Sequence, residues 1–462
     1  MKKPVKIKEL QINCRIIPAG LNILVNGRSF PIVYPKAIWR GYPKPLKNIL
    51  QDNIAYSSTI FLPQMLQLKQ IVYQTGRPLA ETYLFQNGIK DMPCCALSDK
   101  KSSLKYVKDF FNTQYLFEAD QIKTPSLINF RRLKNRRPTA IIPFSFGKES
   151  LLTFSLCQEL GIRPILVNFI EPSNDYEYLH KKKLIKEFER EMKVKVYTVD
   201  YKPGLLRYGK YWGLKTELGW GLQTTEYALL CLPFAHYFKA DYLLLGNEQS
   251  CNDWFYDKEG ILTYKAGYDQ HHYWTGQQGL LASLILGRKL EVASFMDPLY
   301  EIAITKILHH RYPKSGRYQM SCMADNIKAK KNRWCQHCVK CGYIYALMSA
   351  FDLDLQSVGF TQNLFDEKHQ EIYRHFFNYD PKNPAYGSQE ELGLAFYLAY
   401  LRGQRGTSIA KFKKQLFNKM QKQKKHLSKI YLGLNTSDVV PVKFRKNLLA
   451  IYKAELKPFN QK

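Results

Sequence analysis

The chain has 462 residues, enough for two or three domains, and its 45% apolar and 23% charged residues are ordinary for a globular protein. No apolar run reaches the roughly 18 residues of a membrane-spanning helix, and the basic first residues lack the apolar segment of a signal peptide. We therefore expect a cytoplasmic protein without a transmembrane segment, in which the ten cysteines are thiols or metal ligands.

The net charge of +30 is concentrated at the two ends of the chain. Residues 1–50 contain ten Lys and Arg against one acidic residue, and residues 401–462 contain sixteen against two. A basic end of this kind can bind RNA, an acidic membrane surface or a polyanionic substrate, and it can equally be a solvated surface. Nucleic acid therefore stays open as a partner, although the charge is nearly balanced in the middle of the chain.

Residues 1–128 are predicted to form a mixed α/β domain. Short β-type runs at 12–17, 21–25 and 30–34 are separated by Gly20 and by Asn26-Gly27, a pattern that predicts β-hairpins. Residues 62–84 have a more helical pattern. The polar residues 134–138 then lead into a second domain, predicted over residues 129–350.

From residue 139 onward, apolar strands alternate with helices. One strand begins at 139 and others cover 163–170, 194–199 and 242–245; helices are predicted at 149–160, 175–192 and 224–238, with Gly161 as a C-cap. This alternation predicts an α/β fold with a doubly wound parallel sheet, in which ligands bind at the carboxyl ends of the strands. Residues 351–462 are predicted to be a helical, Lys-rich C-terminal region.

The most informative segment lies between the first of these strands and the helix after it. It reads Ser145, Phe146, Gly147, Lys148, Glu149 and Ser150. Such a turn aims backbone N–H groups and the positive end of a helix dipole at one volume, which suits a phosphate group. Ser145 and Ser150 add hydroxyl donors, and Lys148 adds a positive charge. It is not a Walker A loop, because Lys148 is followed by Glu149 and not by Ser or Thr. An ordinary strand-to-helix turn is the alternative interpretation.

A second strong feature is a cysteine cluster with the spacing C-x12-C-x2-C-x2-C. Its members are Cys322, Cys335, Cys338 and Cys341. Four thiolates satisfy tetrahedral Zn²⁺ and leave no open position for water or substrate, so we expect a structural zinc site. Redox or sulfur-carrier cysteines and an iron–sulfur cluster are the alternatives.

Residues 145–150 resemble the pyrophosphate loop of the PP-loop ATPases, whose usual form is Ser-Gly-Gly-x-Asp-Ser; Phe146 and Glu149 depart from it. A PP-loop domain followed by such a cysteine cluster resembles the 7-cyano-7-deazaguanine synthases, which lack the N-terminal domain. The bacterial ATP-dependent UDP-N-acetylmuramoyl-L-alanyl-L-glutamate epimerases are similar over most of the chain. The segments that carry this resemblance are 145–152, 246–250, 269–273, 297–301 and 334–341.

The resemblance implies a PP-loop fold of the adenine nucleotide alpha hydrolase type that uses ATP, Mg²⁺ and structural Zn²⁺ and acts on a UDP-linked substrate. ATP would adenylate the glutamate carboxylate, so that the neighbouring Cα–H becomes acidic enough for a side-chain base, and reprotonation from the opposite face would invert the centre. The loop would hold the pyrophosphate and Lys148 would stabilise its charge. Asn247 and Glu248 would complete the nucleotide site, with Glu248 binding Mg²⁺ or the ribose. The candidates for the base are Asp269, His271 and His272.

Two other functions stay open. A deazaguanine synthase-like or other base- or tRNA-modifying PP-loop enzyme would keep the fold and change the substrate, with Phe255, Tyr256 and Trp274 available to stack on a purine. A nucleic-acid-binding protein with a degenerate ATP loop would use the basic ends and the zinc site instead. The departures at Phe146 and Glu149 leave open whether the loop is active.

Overall fold

The computed structural model describes residues 9–126, 136–172, 175–378 and 388–457. Within these ranges ten strands form one large sheet, and two more form a separate hairpin. The strands are β1 (Leu10–Ile17), β2 (Gly20–Val25), β3 (Arg28–Val33), β4 (Gln70–Arg77), β5 (Gln114–Ile122), β6 (Thr139–Pro143), β7 (Arg163–Ile170), β8 (Val196–Tyr201), β9 (Tyr242–Leu245), β10 (Trp254–Tyr256), β11 (Leu262–Tyr264) and β12 (Glu291–Ser294).

Helices account for most of the remaining described residues. The α-helices are α1 (Lys36–Arg40), α2 (Lys44–Ser57), α3 (Leu62–Met65), α4 (Glu81–Ser98), α5 (Ser103–Phe111), α6 (Lys148–Glu159), α7 (Asp175–Met192), α8 (Gln223–Leu230), α9 (Leu232–Tyr237), α10 (His272–Leu286), α11 (Glu301–Arg311), α12 (Pro313–Gly316), α13 (Val339–Ser349), α14 (Arg374–Phe377), α15 (Gln389–Leu401), α16 (Thr407–Gln415), α17 (Phe417–Tyr431) and α18 (Val442–Leu456). None of the helices in the described part of the chain has both the length and the apolar character that a bilayer crossing requires.

The large sheet has the strand order β12-β9-β6-β7-β8-β3-β2-β1-β4-β5. The five strands from β12 to β8 are parallel to one another, and β1, β4 and β5 form a second parallel group at the other end. Between these groups β1, β2 and β3 form an antiparallel meander, as the hairpin pattern predicts. The predicted α/β class and the mainly parallel sheet are therefore confirmed.

The meander joins the two parallel groups into one sheet. β3 runs antiparallel to β8, with Ile32 opposite Tyr201 and Val33 opposite Asp200. A side-chain hydrogen bond of 3.0 Å between Ser58 and Tyr201 adds to this junction. The sheet thus continues across the predicted domain boundary at residue 128, and the boundaries at 128 and 350 stay predictions.

Most predicted elements of the central region have their counterparts in the structure. β7, α7 and β9 have the predicted bounds, whereas β8 lies two residues later than expected. The predicted helix over 224–238 is two helices, α8 and α9, because Pro233 at the start of α9 lacks the N–H that a continuous helix needs. The helical prediction over 62–84 is wrong in its middle, where β4 buries Ile71 and Tyr73 and pairs with β1 and β5.

Two buried apolar clusters cover the two faces of the sheet. On β6, Ala140 and Ile142 belong to one cluster and Ile141 to the other, as the two-residue period of a strand requires. One face is covered by α1, α2, α4 and α8 to α10, and the other by α6, α7, α11, α13 and the C-terminal helices α15 to α18. The described part of the chain after residue 350 is helical, as predicted.

Candidate functional site

The carboxyl ends of β6, β9 and β12 lie side by side in the sheet, and the predicted site segments follow them. Residues 145–150 follow β6, Asn247 and Glu248 follow β9, and residues 297–301 follow β12. Residues 269–273 reach the same edge at the start of α10, where Asn247 Nδ2 donates a 2.9 Å hydrogen bond to Thr275 Oγ1. The structure therefore brings together four segments that are far apart in the chain.

The loop after β6 passes into α6 through a residue with left-handed backbone geometry. Phe146 has φ +64°, in a region of backbone conformation that glycine usually occupies. Its buried ring packs against Phe144 and Phe188, with ring centroids 4.7 Å and 5.6 Å away. Its carbonyl accepts a 2.8 Å hydrogen bond from the Met320 N–H. The backbone thus keeps a glycine-like turn while the aromatic side chain fills the core.

The residues around this turn carry the polar groups of the predicted phosphate site. Ser145 is exposed, and its Oγ accepts a 3.2 Å hydrogen bond from the Gly147 N–H. The Ser150 hydroxyl donates to the Gly147 carbonyl at 3.0 Å. The positive end of α6 lies at this loop. The end of β9 is in close contact, because a Cβ added to Gly246 would lie 2.9 Å from Glu149 Cβ.

Lys148 is buried and paired with two carboxylates. Its Nζ forms an ion pair with Glu149 and lies 2.5 Å from Glu301 Oε2. Burial alone would lower the pKa of Lys148, but the two carboxylate charges raise it above its ordinary value. Burial alone would raise the pKa of Glu149, and attraction to Lys148 holds it below its ordinary value. Lys148 is therefore a fixed positive charge beside the loop.

Glu248 is a buried carboxyl group at the end of β9. Its oxygens accept hydrogen bonds from the Ser250 N–H, at 2.9 Å, and from the Ser250 hydroxyl. Burial raises the pKa of Glu248 well above its ordinary value, and the charges of Glu301 and Glu391 raise it further. The carboxyl groups around Lys148 therefore outnumber it, and a bound cation would relieve their mutual repulsion.

Glu391 belongs to this site but was not predicted from the sequence. It lies fully buried in the first turn of the apolar helix α15. Its carboxylate accepts hydrogen bonds from the Ile302 N–H at 2.8 Å and from the Tyr343 hydroxyl at 3.1 Å. Burial, followed by the charge of Glu301, raises the pKa of Glu391 to about 8. The sequence has two acidic residues, Glu390 and Glu391, in the first turn of an otherwise apolar helix, and only the fold shows that Glu391 is the buried one.

The structure places Asp269 at the start of α8. Its Oδ2 accepts hydrogen bonds from the Thr224 N–H at 2.6 Å and from the Thr224 hydroxyl at 2.5 Å. Its Oδ1 accepts from the Thr225 N–H at 3.2 Å and from the Thr225 hydroxyl. Burial raises the pKa of Asp269 to about 6 in spite of these donors. Four hydrogen bonds to one carboxylate favour a role in holding α8.

The two predicted histidines differ in their surroundings. His271 is buried, and its Nδ1 accepts a 3.2 Å hydrogen bond from the Tyr273 N–H as the N-cap of α10. Burial, followed by the charges of His272 and Lys90, lowers the pKa of His271 to about 4. The His272 backbone N–H donates to Asn252 Oδ1 at 2.9 Å, and its buried Nδ1 has no hydrogen-bond partner among the described residues.

The four cysteines converge as predicted. All four Sγ atoms lie within 4.8 Å of one another, with 3.4 Å between Cys338 and Cys341 and 4.0 Å between Cys322 and Cys338. Tetrahedral zinc with Zn–S bonds of about 2.3 Å places its sulfur atoms about 3.8 Å apart. The Cys341 N–H donates to Cys338 Sγ at 3.4 Å, and such donors stabilise thiolates. The residues present therefore fit a structural metal ion such as zinc.

The aromatic residues considered for purine stacking differ in their surroundings. Trp274 is buried, and its Nε1 donates a 2.8 Å hydrogen bond to Thr225 Oγ1. Phe255 and Tyr256 belong to the β10–β11 hairpin, where Tyr256 is 66% exposed. Trp274 is therefore a core residue in this structure, whereas Tyr256 presents its ring to solvent.

One part of the chain matches a known family. Residues 319–429 match the model of the MurL C-terminal domain, the C-terminal part of the MurL epimerase. The match includes the four cysteines and Glu391, and it supports the predicted resemblance to the epimerase family over this part of the chain. No curated protein and no solved structure matches the chain.

Proposed function

We propose that this protein is an ATP-dependent, AMP-forming epimerase of peptidoglycan precursor synthesis. It would convert the terminal L-glutamate of UDP-N-acetylmuramoyl-L-alanyl-L-glutamate to D-glutamate. The observation that carries the proposal is the match of residues 319–429 to the MurL C-terminal domain, because this segment supplies part of the site around Lys148.

The matched segment contacts the candidate loop region at two points. The Met320 N–H donates to the Phe146 carbonyl at 2.8 Å. Glu391 binds the N–H of Ile302, the residue after Glu301, which itself pairs with Lys148. The family match and the phosphate-loop interpretation therefore support the same site.

The loop suits the phosphates of ATP in the way that PP-loops do. Ser145, Gly147 and Ser150 would hold the pyrophosphate, and Lys148 would stabilise its developing charge. Glu248 would hold Mg²⁺, an ion that prefers carboxylate and phosphate oxygens and would neutralise phosphate charge. The carboxyl groups that outnumber Lys148 support this assignment, because their ionised forms would repel phosphates that carry no divalent cation.

The chemistry explains why ATP is needed. An ionised glutamate α-carboxylate resists loss of the α-proton, because the product would carry two adjacent negative charges. ATP would supply an adenylyl group that removes the carboxylate charge and makes the carbonyl electron-withdrawing. The protein then has to hold the activated glutamyl residue, exclude water and move one proton between side chains and Cα. The cysteine cluster, with four protein ligands, would act on this site only through its effect on the fold.

Incubation of the protein with ATP, Mg²⁺ and the UDP-linked dipeptide tests the proposal. AMP release together with D-glutamate in the product would support it. AMP release without inversion would indicate that the natural substrate is another carboxylic acid, such as a carboxylated deazapurine. Lys148→Met should lower AMP release by at least about 100-fold. Lys425→Met, an exposed lysine on α17, should not. Absence of AMP with binding to RNA that weakens steeply with salt would favour the nucleic-acid alternative.

A further inference from the structure

A polar cluster lies between the ends of β9 and β12, next to the Lys148 site. Asn252 is at its centre: its Nδ2 donates to Asp297 Oδ1 at 2.8 Å, and its Oδ1 accepts from the His272 N–H at 2.9 Å. Asn252 follows β9, Asp297 follows β12 and His272 begins α10. Three separate elements therefore fix the position of the cluster.

Three atoms of this cluster are buried without a hydrogen-bond partner among the described residues. They are Asp297 Oδ2, His272 Nδ1 and Gln249 Oε1. Asp297 is only 1% exposed, and the Ser437 side chain is close enough to its carboxyl group to oppose the rise in its pKa, but Oδ2 has no hydrogen bond of normal geometry to a described residue. Buried polar atoms are normally paired, and an unpaired one costs free energy. Three of them in one cluster point to a ligand that pairs with them.

The cluster borders the site that is proposed to bind the activated carboxylate. Asp297 and Glu301 lie on one short turn after β12, and Glu301 pairs with Lys148. Gln249 directly follows Glu248 in the chain. The Tyr300 hydroxyl donates to Asp253 Oδ1 at 3.3 Å, which ties this turn to the segment after β9. Two of the three unpaired atoms therefore lie on the segments that carry Glu248 and Glu301.

The other predicted bases are engaged in holding the backbone. Both oxygens of Asp269 accept hydrogen bonds from Thr224 and Thr225, and His271 Nδ1 caps α10. Of the three residues predicted from the sequence, His272 is the one whose ring has a buried nitrogen without a partner in the described part of the chain. Burial raises the pKa of Asp297, so this carboxyl group holds a proton more readily than an exposed aspartate does.

We infer that His272 and Asp297 are the proton-transfer pair of the proposed epimerisation, an inference that rests on the proposed function. One group takes the α-proton while the Cα–H electron pair moves onto the activated carbonyl, and the other gives its proton to the opposite face of Cα as the carbonyl re-forms. No proton is gained or lost overall, but the two groups end the turnover with exchanged protonation states. Solvent resets them, so solvent hydrogen enters the product at Cα. Gln249 Oε1 accepts the amide N–H of the glutamyl residue.

The test separates proton transfer from nucleotide chemistry. The wild type, Asp297→Asn and His272→Asn are incubated with ATP, Mg²⁺ and the UDP-linked dipeptide in D₂O. Deuterium at the glutamyl Cα, the configuration of the glutamate and AMP are measured separately, and substrate binding without ATP is measured by calorimetry. Both variants should bind substrate and release AMP within a few-fold of the wild type, but lose inversion by at least about 100-fold. Asp109, whose side chain is 43% exposed, and the exposed His426 give matched controls, Asp109→Asn and His426→Asn, which should keep every rate.

The outcomes distinguish this inference from the proposed function. Inversion and deuterium uptake at the wild-type rate in either variant would overturn the assignment of that residue. An equal loss of AMP release and inversion, in a variant with the wild-type circular dichroism and melting temperature, would also overturn it, because the residue would then act in nucleotide binding. If the wild type itself releases no AMP with this dipeptide, the proposed function fails, and the inference fails with it.

Discussion

Replacing Phe146 by glycine should destabilise the protein less than replacing it by alanine. Inside a helix the order is the opposite, because alanine is favoured there over glycine. Phe146 combines a φ of +64° with a fully buried ring. Phe146→Ala and Phe146→Gly both remove the ring contacts with Phe144 and Phe188, and the loss of a buried phenyl ring costs about 3–5 kcal/mol in either variant. The two variants therefore differ mainly in the backbone conformation that position 146 requires.

The size of that difference follows from the backbone geometry. A left-handed conformation costs an L-residue about 1–2 kcal/mol and costs glycine almost nothing. The greater conformational freedom of glycine in the unfolded chain reduces this advantage of the glycine variant by about 0.4–1 kcal/mol. Phe146→Gly should thus be about 1 kcal/mol more stable than Phe146→Ala. Phe154 is also fully buried but lies inside α6, so Phe154→Ala should be about 1 kcal/mol more stable than Phe154→Gly.

Urea unfolding followed by far-ultraviolet circular dichroism, at fixed pH and zinc concentration, gives the free energies of unfolding for all four variants. The comparison of alanine with glycine at each position removes most of the cost of the lost ring. The two positions should then differ by about 2 kcal/mol in this comparison. If alanine were the more stable residue at both positions, by about 1 kcal/mol, the left-handed turn before α6 would be refuted in solution.

Metal analysis should find one zinc ion per chain. The Cys338→Ser variant should lose most of this zinc, whereas the control variant Cys94→Ser, on α4, should retain it. Glu391 has a folded-state pKa of about 8 against an ordinary value of 4.5, so its contribution to stability is fully present below about pH 4.5 and is lost as the pH rises to about 8. Glu391→Gln should therefore flatten the pH dependence of the free energy of unfolding over this window. Asp269→Asn should lower the free energy of unfolding by about 3 kcal/mol, because four donors lose a charged acceptor, whereas the exposed Asp354→Asn should cost less than about 1 kcal/mol. Zinc retained in Cys338→Ser, an unchanged pH slope in Glu391→Gln or equal losses in the two aspartate variants would contradict the corresponding reasoning.

The central strands could be predicted because parallel strands buried on both faces are continuous apolar runs. β7 and β9 are of this kind, and their bounds agree with the prediction. β4 was missed, since Gln70–Arg77 mixes polar and apolar residues and its strand conformation depends on pairing with β1 and β5. The β3–β8 junction was missed for the same reason, because no local pattern reports a pairing between residues so distant in the chain.

The predicted parts of the site are those that are local in the sequence. The loop at residues 145–150 and the cysteine spacing each place several functional groups within a few residues, so their chemistry can be read directly. Glu391 and Asp297 are different, because each gains its surroundings through packing against distant elements. Glu391 meets the start of α11, and Asp297 meets Asn252 after β9. Burial and unpaired atoms identify such residues, and both require a structure.

The glycine-like backbone at Phe146 is supported by the segment before the cysteine cluster. The backbone adopts the φ that glycine would supply, and the ring is held by Phe188, which also contacts the Tyr318 ring at 5.1 Å. The Met320 N–H adds its hydrogen bond to the Phe146 carbonyl. Tyr318 and Met320 lead directly to Cys322, so a metal ion at the cluster would stabilise the contacts that offset the strain in the loop. The cluster has no open position for substrate, and its influence on the phosphate loop would therefore pass through this packing.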